Sequence, residues 1–307
     1  MFTKAKFKVK FLSFQVLEKL KFFKDLSHSK YLVETSNFQG VTNLIRLVLE
    51  GCVSLRKVHS SLGDLKNLSF LSLKICEKLK SLPMSMCGLK SLKTFTLSAC
   101  SQLEEFPKNF GNLEMLKELH ADGTSVRVLP FSFSFLRNLE ILSFEGCKGP
   151  PSTSWLLPGR SSSSTSFILH HLPGLCSLTR LNLSYCNVSD ETNLSSICLL
   201  SSLEVLDLCG NNFVTLPNFR GLSNLEALRL DKCKRLQVLP ELPSNIYLLS
   251  AQDCISFKNA SNHELQSVLP TTKWPKRTSR VSSSLYIPYI TTLIINKRYI
   301  PYILRSC

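Results

Sequence analysis

Leucines recur along the chain at a regular spacing, in the pattern L-x-x-L-x-L-x-x-C-x-x-L. One clear copy runs from Leu44 to Leu55, and the next runs from Leu68 to Leu79. A period of this length indicates a repeat architecture rather than an ordinary globular domain. Copies start 24, 24, 24, 23, 39, 25, 22 and 21 residues apart, at Leu44, Leu68, Leu92, Leu116, Leu139, Leu178, Leu203, Leu225 and Ile246.

The L-x-L part of each copy predicts a short β-strand. Alternate side chains of a strand point to opposite faces, so both leucines face one side and their neighbours face the other. One such strand cannot bury its apolar side alone, but stacked copies form a parallel sheet over a continuous core. We therefore predict an α/β leucine-rich-repeat solenoid of about nine repeats. It has a curved parallel sheet of short strands and an irregular or 3-10 convex side.

The cysteine position of the repeat predicts a small buried side chain where the chain turns inward after the strand. Thr124 and Asn211 replace the cysteine in two repeats. A small side chain with some hydrogen-bonding capacity suits a buried site that meets loop backbone. This regularity argues against a disulfide or metal role for the seven cysteines concerned, which are Cys52, Cys76, Cys100, Cys147, Cys186, Cys233 and Cys254.

Several repeats end in Leu-Pro or Phe-Pro, as at Leu82-Pro83 and Phe106-Pro107. Proline removes a backbone donor and keeps the preceding residue extended, so it favours short 3-10 or α turns on the convex side. The long interval between repeats holds an insertion at about residues 148–177. Its Gly, Pro and Ser content predicts a loop extruded from the solenoid.

Composition and charge narrow the possible functions. Apolar residues make up 44% of the chain, enough for a large core, and the net charge is +15. That charge lies at the ends, because residues 1–30 carry +6, residues 258–307 carry +7, and the 227 residues between them carry +2. A nucleic-acid or membrane-surface binder acting through the tails therefore remains an alternative, while the repeats themselves give little support to it.

The twelve cysteines raise the question of the cellular compartment. The chain is long and no uninterrupted apolar run follows Met1, so we expect free buried thiols in a cytoplasmic protein, with the nucleus as a second compartment. The most apolar stretch of the tail, residues 281–296, is shorter than the roughly 20 residues of a membrane span. No transmembrane segment is expected.

Strand residues that alternate with the leucines form the expected binding surface on the concave side. They include four basic and six acidic residues, a net charge of about −2, whereas a phosphate-binding surface needs the opposite sign. The cluster of Glu118, Asp122 and Glu145 is the preferred patch for a basic partner. The full set of proposed partner-binding residues is Arg46, Glu50, Phe70, Lys74, Glu118, His120, Asp122, Glu145, Arg180, Asp207, Arg229 and Asp231.

Neither catalysis nor metal or cofactor binding is predicted. A nucleophile needs an adjacent base and an orienting group, and no spacing suggests one. His170 and His171 with Cys176 could be imagined as zinc ligands, but zinc sites use about four ligands with paired spacing, and no Cys-x-x-Cys occurs. Cys209 alternates with the leucines, so we expect it to point outward, where it could be reactive.

The amino-acid sequences of the repeats resemble those of one particular family. The segment Gly40-Val41-Thr42-Asn43-Leu44 through Leu49-Glu50-Gly51-Cys52 is similar to the repeats of plant intracellular disease-resistance receptors, which combine a TIR domain, a nucleotide-binding domain and leucine-rich repeats. Residues 16–32, 121–124, 239–245 and 251–254 carry further similar motifs. The resemblance covers roughly residues 14–257 and implies a repeat module that recognises a pathogen effector and holds the nucleotide switch of the receptor inactive.

The resemblance also has limits. No Gly-x-x-x-x-Gly-Lys-Ser/Thr occurs, so nucleotide binding and the NAD cleavage of TIR domains are not transferred to this chain. We expect residues 1–13 to be an unassigned basic N-terminus, residues 14–257 the repeat domain, and residues 258–307 a basic, disordered tail. As a fragment it is expected to be monomeric, with a pathogen effector or the nucleotide-binding domains of a receptor as partner. The alternative function is a truncated fragment that regulates a full-length receptor or acts as its decoy.

Overall fold

A computed structural model gives the fold. It describes residues 26–41, 43–126, 128–147, 169, 171–190, 192, 194–254 and 256, together with the backbone of Leu293–Ile294. Nine three-residue strands follow one another in the repeats: β1 Arg46–Val48, β2 Phe70–Ser72, β3 Thr94–Thr96, β4 Glu118–His120, β5 Ile141–Ser143, β6 Arg180–Asn182, β7 Val205–Asp207, β8 Ala227–Arg229 and β9 Leu248–Ser250.

These strands form one sheet in chain order, each parallel to its neighbour. The central residue of every strand pairs with the central residue of the next, beginning with Leu47 against Leu71 and Leu71 against Phe95. All of these central residues are buried on the core side. The predicted parallel solenoid of nine repeats is therefore confirmed.

Short 3-10 helices form the convex side, as the proline pattern predicted. Pro83 and Pro130 each lie immediately before one, in extended backbone that starts the turn. The helices are Ser60–Asp64, Met84–Gly88, Phe110–Asn112, Phe131–Phe135, Leu172–Gly174 and Leu194–Leu199. In the first five, the leucine that follows the helix donates its amide to the carbonyl three residues earlier, which closes the turn and leads into the next strand.

The core between sheet and turns is filled by leucines and a group of phenylalanines. Phe110 and Phe133, from consecutive convex turns, stack with ring centroids 5.7 Å apart and planes 8° from parallel. Phe106 packs against Phe110 at 4.6 Å. Such ring pairs add stability beyond the area they bury. Consecutive repeats therefore share one continuous interior.

The cysteines of the repeat link neighbouring repeats through hydrogen bonds. The thiol of Cys76 donates to the carbonyl of Leu49 at 3.2 Å, and that of Cys100 donates to Leu73 at 3.1 Å. Asn211 performs the same task with its amide, donating to Leu183 and Leu208 at 2.9 and 2.8 Å. Burial raises the pKa of Cys100 to about 12 and that of Cys147 to about 11, so these thiols remain protonated donors at neutral pH.

The residue just before each of these positions adopts a left-handed backbone conformation in all nine repeats. Glycine occupies it four times, which relieves the usual steric penalty. Five other repeats place a side chain there, and the full set is Gly51, Ile75, Ala99, Gly123, Gly146, Tyr185, Gly210, Lys232 and Asp253. The turn after the strand is thus a backbone feature of the repeat, independent of the residue that fills it.

Several predicted segments lie wholly or partly outside the described residues. These are the N-terminal residues 1–13, most of the insertion and most of the tail. At the end of the predicted insertion, Leu172–Gly174 forms a convex 3-10 helix with Leu169, Leu172 and Leu175 buried, so this part completes a repeat. From the tail, Leu293–Ile294 forms β10 and pairs antiparallel with β9.

Candidate protein-binding surface

The outward-facing side chains of β1 to β9 form rows that cross the sheet, because the strands are in register. The first strand position gives one row, which begins Arg46, Phe70 and Thr94. The third strand position gives a second row, and the second residue after the end of each strand gives a third, which begins Glu50, Lys74 and Ser98. Neighbouring strands of a sheet lie about 4.8 Å apart, so each side chain in a row can reach the next one.

At the N-terminal end of the surface, a cationic side chain packs on an aromatic ring. The guanidinium of Arg46 lies over the ring of Phe70, 3.5 Å from its centroid. In the third row, Glu50 accepts a hydrogen bond from the hydroxyl of Ser72 at 2.7 Å, and Lys74 next to it is exposed. Of these predicted residues, Arg46 and Lys74 present the most accessible positive charge.

The middle of the surface brings together the predicted acidic cluster, but its members differ in what they are bonded to. Asp122 accepts hydrogen bonds from the hydroxyl of Ser98 at 3.0 Å, from the hydroxyl of Ser143, and from the amide of Glu145 at 3.0 Å. Its carboxylate therefore accepts three hydrogen bonds from the two repeats on either side of its own, those of β3 and β5. Asp122 is better placed to support the surface than to bind a partner.

Glu118, His120 and Glu145 surround Asp122 and keep more of their surface open. Glu118 lies 3.9 Å from the imidazole of His120, and both side chains are more than 30% exposed, at 41% and 34%. Glu145 is exposed and accepts a hydrogen bond from Asn182 at 3.3 Å. Arg180 is exposed on the neighbouring strand. These four residues place two carboxylates, an imidazole and a guanidinium at the centre of the sheet.

The C-terminal part of the surface is internally paired. Asp207 forms an ion pair with Arg229 at 3.1 Å and leaves only 12% of its side chain exposed. Asp231 accepts from the hydroxyl of Ser250 and from the amide of Gln252, the latter at 2.8 Å. Of these predicted contact residues, Asp207 and Asp231 therefore have most of their hydrogen-bonding capacity satisfied within the repeat stack.

The structure corrects the expectation for Cys209. Its position in the strand pattern is on the outer side, yet its side chain is buried, with the thiol 3.8 Å from the carboxylate of Asp231. Burial, followed by the negative charge of Asp207, raises the pKa of the thiol far above its ordinary value. Cys209 is consequently neither exposed nor activated, because the carboxylates around it disfavour the thiolate.

Two side chains beside the surface were not predicted from the sequence. Tyr185 and Lys232 occupy the left-handed position after β6 and β8, and both are exposed at the end of their strands. The strand alternation does not mark this position. A signal was nevertheless present, since other repeats place glycine there and a bulky residue at the same point departs from that preference.

The histidines of the predicted insertion do not form a described metal site. His171 packs edge-on against the exposed ring of Phe131, with centroids 5.5 Å apart, while His170 lies outside the described residues. Cys176 is exposed and its thiol donates to Gly174. Across the described part of the chain, no group of three or more His, Cys, Asp or Glu residues is arranged to hold a metal ion.

No helix among the described residues is both long and apolar enough to cross a membrane. Within the described part of the repeats, the helices are 3-10 turns of three to six residues.

Comparison with known proteins finds relatives that are named as plant disease resistance proteins. The disease resistance-like protein DSC1 of Arabidopsis thaliana is 35% identical over 78% of this chain and 24% of its own length. The disease resistance protein RPS4 of the same plant is 35% identical over 80% of this chain and 20% of its own length. The TMV resistance protein N of Nicotiana glutinosa is 49% identical, over 26% of this chain and 7% of its own length.

The chain thus spans about a quarter or less of the length of these relatives. No family model matches it. Among solved structures, the leucine-rich repeat domain of the type III effector XopL superposes with a TM-score of 0.50 at 20% identity, covering 72% of this chain and 73% of that one. At that identity the likeness supports the fold alone.

Proposed function

The chain belongs with the leucine-rich-repeat region of plant disease resistance proteins of the TIR and nucleotide-binding class, and from this premise we propose that its concave face recognises a pathogen effector. Relatives named for disease resistance support a role as the repeat module of an immune receptor. Solenoids generally use an extended sheet face to bind proteins. The recognition of an effector is the specific step that goes beyond those relatives.

The observation that carries this proposal is the open charged centre of the sheet. Glu118, His120, Glu145 and Arg180 come from three neighbouring strands, and each retains exposed surface. Asp122 is bonded to protein donors below them and holds the arrangement in place. A patch of fixed charge pattern discriminates between partners, because a partner with like charges at the same positions is repelled. We infer a partner surface that carries basic side chains.

The same chemistry favours a binding role over an enzymatic one. Catalysis requires a nucleophile or acid–base pair held at reacting distance, together with a site that excludes water. His120, the histidine at the centre of this face, has Glu118 as its charged neighbour. This pair lies on an open sheet surface, which suits contact with a macromolecule.

We place this recognition in the cytoplasm, with the nucleus as a second possible compartment. The thiols of Cys76, Cys100, Cys147, Cys186 and Cys233 all donate hydrogen bonds to backbone carbonyls of preceding repeats. They can do so only while reduced, and the cytosol keeps thiols reduced. Oxidation would break bonds that connect neighbouring repeats.

Binding assays with charge-reversed variants test the proposal. The double variant Glu118→Lys, Glu145→Lys is assayed against candidate effectors and against the nucleotide-binding half of a related receptor. We expect affinity to fall by at least about tenfold, because two attractive contacts become repulsive. Reversal of Glu104 and Glu105, which are exposed on the other side of the repeats, serves as the control with the same change in net charge.

The arms of this assay separate the alternatives. Binding to an effector that is lost only in the Glu118 and Glu145 variant supports effector recognition. Binding only to the receptor half supports a regulator or decoy of a full-length receptor. Equal binding by the variant, the control and the unmodified chain removes the concave centre from consideration. Loss of binding on deletion of residues 258–307 would point to the basic tail instead.

A further inference from the structure

A second charged row lies outside the concave face, along the N-terminal ends of the strands. We call it the strand-start row, and it contains the residue immediately before each strand. Backbone hydrogen bonds connect its members in sequence, for example from Lys117 to Lys93 at 2.8 Å and from Glu226 to Glu204 at 2.8 Å. The row consists of Ile45, Ser69, Lys93, Lys117, Glu140, Thr179, Glu204, Glu226 and Tyr247.

Charge along this row is separated into two blocks. Lys93 and Lys117 are exposed and adjacent on the N-terminal side, while Glu204 and Glu226 are exposed and adjacent on the C-terminal side. Burial raises the pKa of neighbouring Tyr247, and the negative charge of Glu226 adds to that rise. The two adjacent exposed carboxylates of Glu204 and Glu226 make this end of the row acidic.

We propose that the strand-start row binds a second copy of this chain in a two-fold contact, with the basic block of each copy against the acidic block of the other. A rotation of 180° about an axis between β5 and β6, in the plane of the row, returns the row onto itself in reverse order. The curvature of the row does not disturb this match, because the axis lies in the plane of the curve. Two-fold contacts between identical chains use one patch on both copies.

The register of the reversed rows places the two lysines of the basic block opposite the two glutamates of the acidic block. Lys93 faces Glu226 of the second copy, and Lys117 faces Glu204 of the second copy. Glu140, at the centre, faces the neutral Thr179. Because each pair occurs twice in a two-fold contact, four opposite-charge pairs form.

The flanking rows tolerate the same register. In the row of turn residues three positions earlier, Lys90 and Glu114 face the serines Ser223 and Ser201, so no like charges meet. On the other side, Phe70 faces Leu248, which is an apolar pair. Opposite charges in one row and neutral neighbours in the two beside it give a surface that is complementary to itself.

The contact is expected to be weak and sensitive to salt. Pairs between exposed charges contribute little individually, and Lys117 already forms an ion pair with Glu140 of its own chain at 2.6 Å. The Debye length is about 10 Å at 0.1 M salt and falls to about 3 Å at 1 M. This proposal differs from the monomer expected from the sequence, and it leaves the concave face open for a partner.

Sedimentation velocity on the whole chain tests the proposal, with salt and charge as variables. At low salt the weight-average mass should rise with concentration from 34.6 kDa towards twice that value, and at about 1 M salt it should stay at the monomer value. The variants Lys93→Glu with Lys117→Glu, and Glu204→Lys with Glu226→Lys, should each associate at least about tenfold more weakly.

A mixture of the two variants tests directly whether the basic block of one copy contacts the acidic block of the other. In the mixture, one partner has glutamates at all four positions of the two blocks and the other has lysines at all four, so association should return to at least the unmodified level. Reversal of Lys78 and Lys80, which are exposed beyond the end of β2, is the control for the lysine variant, and it should leave association unchanged. Unaltered melting temperatures check that each variant is folded.

Three results would overturn the proposal. They are a chain that stays monomeric at low salt, an association that survives reversal of Lys93 and Lys117, and a mixture of variants that fails to associate. The second result has a further meaning if reversal of Glu204 and Glu226 abolishes association. In that case the acidic block binds another basic segment, such as the tail, and the two-fold arrangement is wrong. None of these outcomes depends on recognition by the concave face.

Discussion

The two sides of the same strands follow opposite rules. On the core side, Leu47, Leu71 and Leu119 are equivalent and identical, and all are buried. On the solvent side, the equivalent positions Arg46, Phe70 and Glu118 share no chemistry. The interior accepts only side chains that fit a closely packed space, whereas the outer surface requires only compatibility with a strand. The fold is therefore encoded by the residues that repeat, and specificity by those that vary.

The largest expected effect compares two phenylalanines of one convex turn. Phe133 is fully buried in the aromatic group, while Phe131 is 67% exposed two residues away. We expect Phe133→Ala to lower the free energy of unfolding by about 3–5 kcal/mol, because it leaves a cavity in a packed core. Phe131→Ala should change it by less than about 0.5 kcal/mol. Denaturant unfolding measures both, and equal losses would contradict the division between core and surface.

A second comparison concerns neighbouring asparagines. Asn211 is buried, donates to two carbonyls and accepts from the amide of Val188 at 3.0 Å, whereas Asn212 is exposed and bonds to Asn187. Asn211→Ala leaves buried backbone groups without partners and should cost about 2–3 kcal/mol. Asn212→Ala should cost less than about 0.5 kcal/mol. A melting temperature for Asn211→Ala close to that of the unmodified chain would show that these bonds do not connect the repeats as inferred.

A third comparison tests the distinction inside the acidic cluster itself. Asp122 is bonded to Ser98 and to the amide of Glu145, while the carboxylate of Glu118 lies 3.9 Å from the imidazole of His120. Asp122→Ala should lower the free energy of unfolding by about 1–2 kcal/mol, since it removes charged hydrogen bonds. Glu118→Ala should leave stability within about 0.5 kcal/mol and act on partner binding instead. The reverse result would exchange the supporting and contacting roles of the two carboxylates.

These comparisons show how far the sequence could predict the molecule. Leucine spacing predicted the strands, their parallel order and the buried side because core positions repeat. The bonding of Asp122 and the burial of Cys209 could not be predicted, because each depends on side chains of a neighbouring strand that repeat spacing does not specify. The left-handed turn before the cysteine position was also missed. Ile75, Tyr185 and Lys232 adopt it without glycine, since the stack imposes the conformation that glycine merely eases.

The comparison with the smallest expected effect at neutral pH is between a buried group that ionises at high pH and a buried group that does not ionise. Burial raises the pKa of Cys100 from 9.0 to about 12. The protonated thiol is therefore favoured by folding, so its contribution to stability is complete below pH 9 and is lost as the pH rises from 9 towards 12. Over this range, the free energy of unfolding should fall more steeply for the unmodified chain than for Cys100→Ala. The difference should be about 1 kcal/mol per pH unit.

Asn211→Ala is the control, because its amide does not ionise and its difference from the unmodified chain should stay constant with pH. Parallel curves for Cys100→Ala and the unmodified chain, measured by denaturant unfolding between pH 8 and pH 11, would show that the thiol ionises as readily in the folded chain as in the unfolded one.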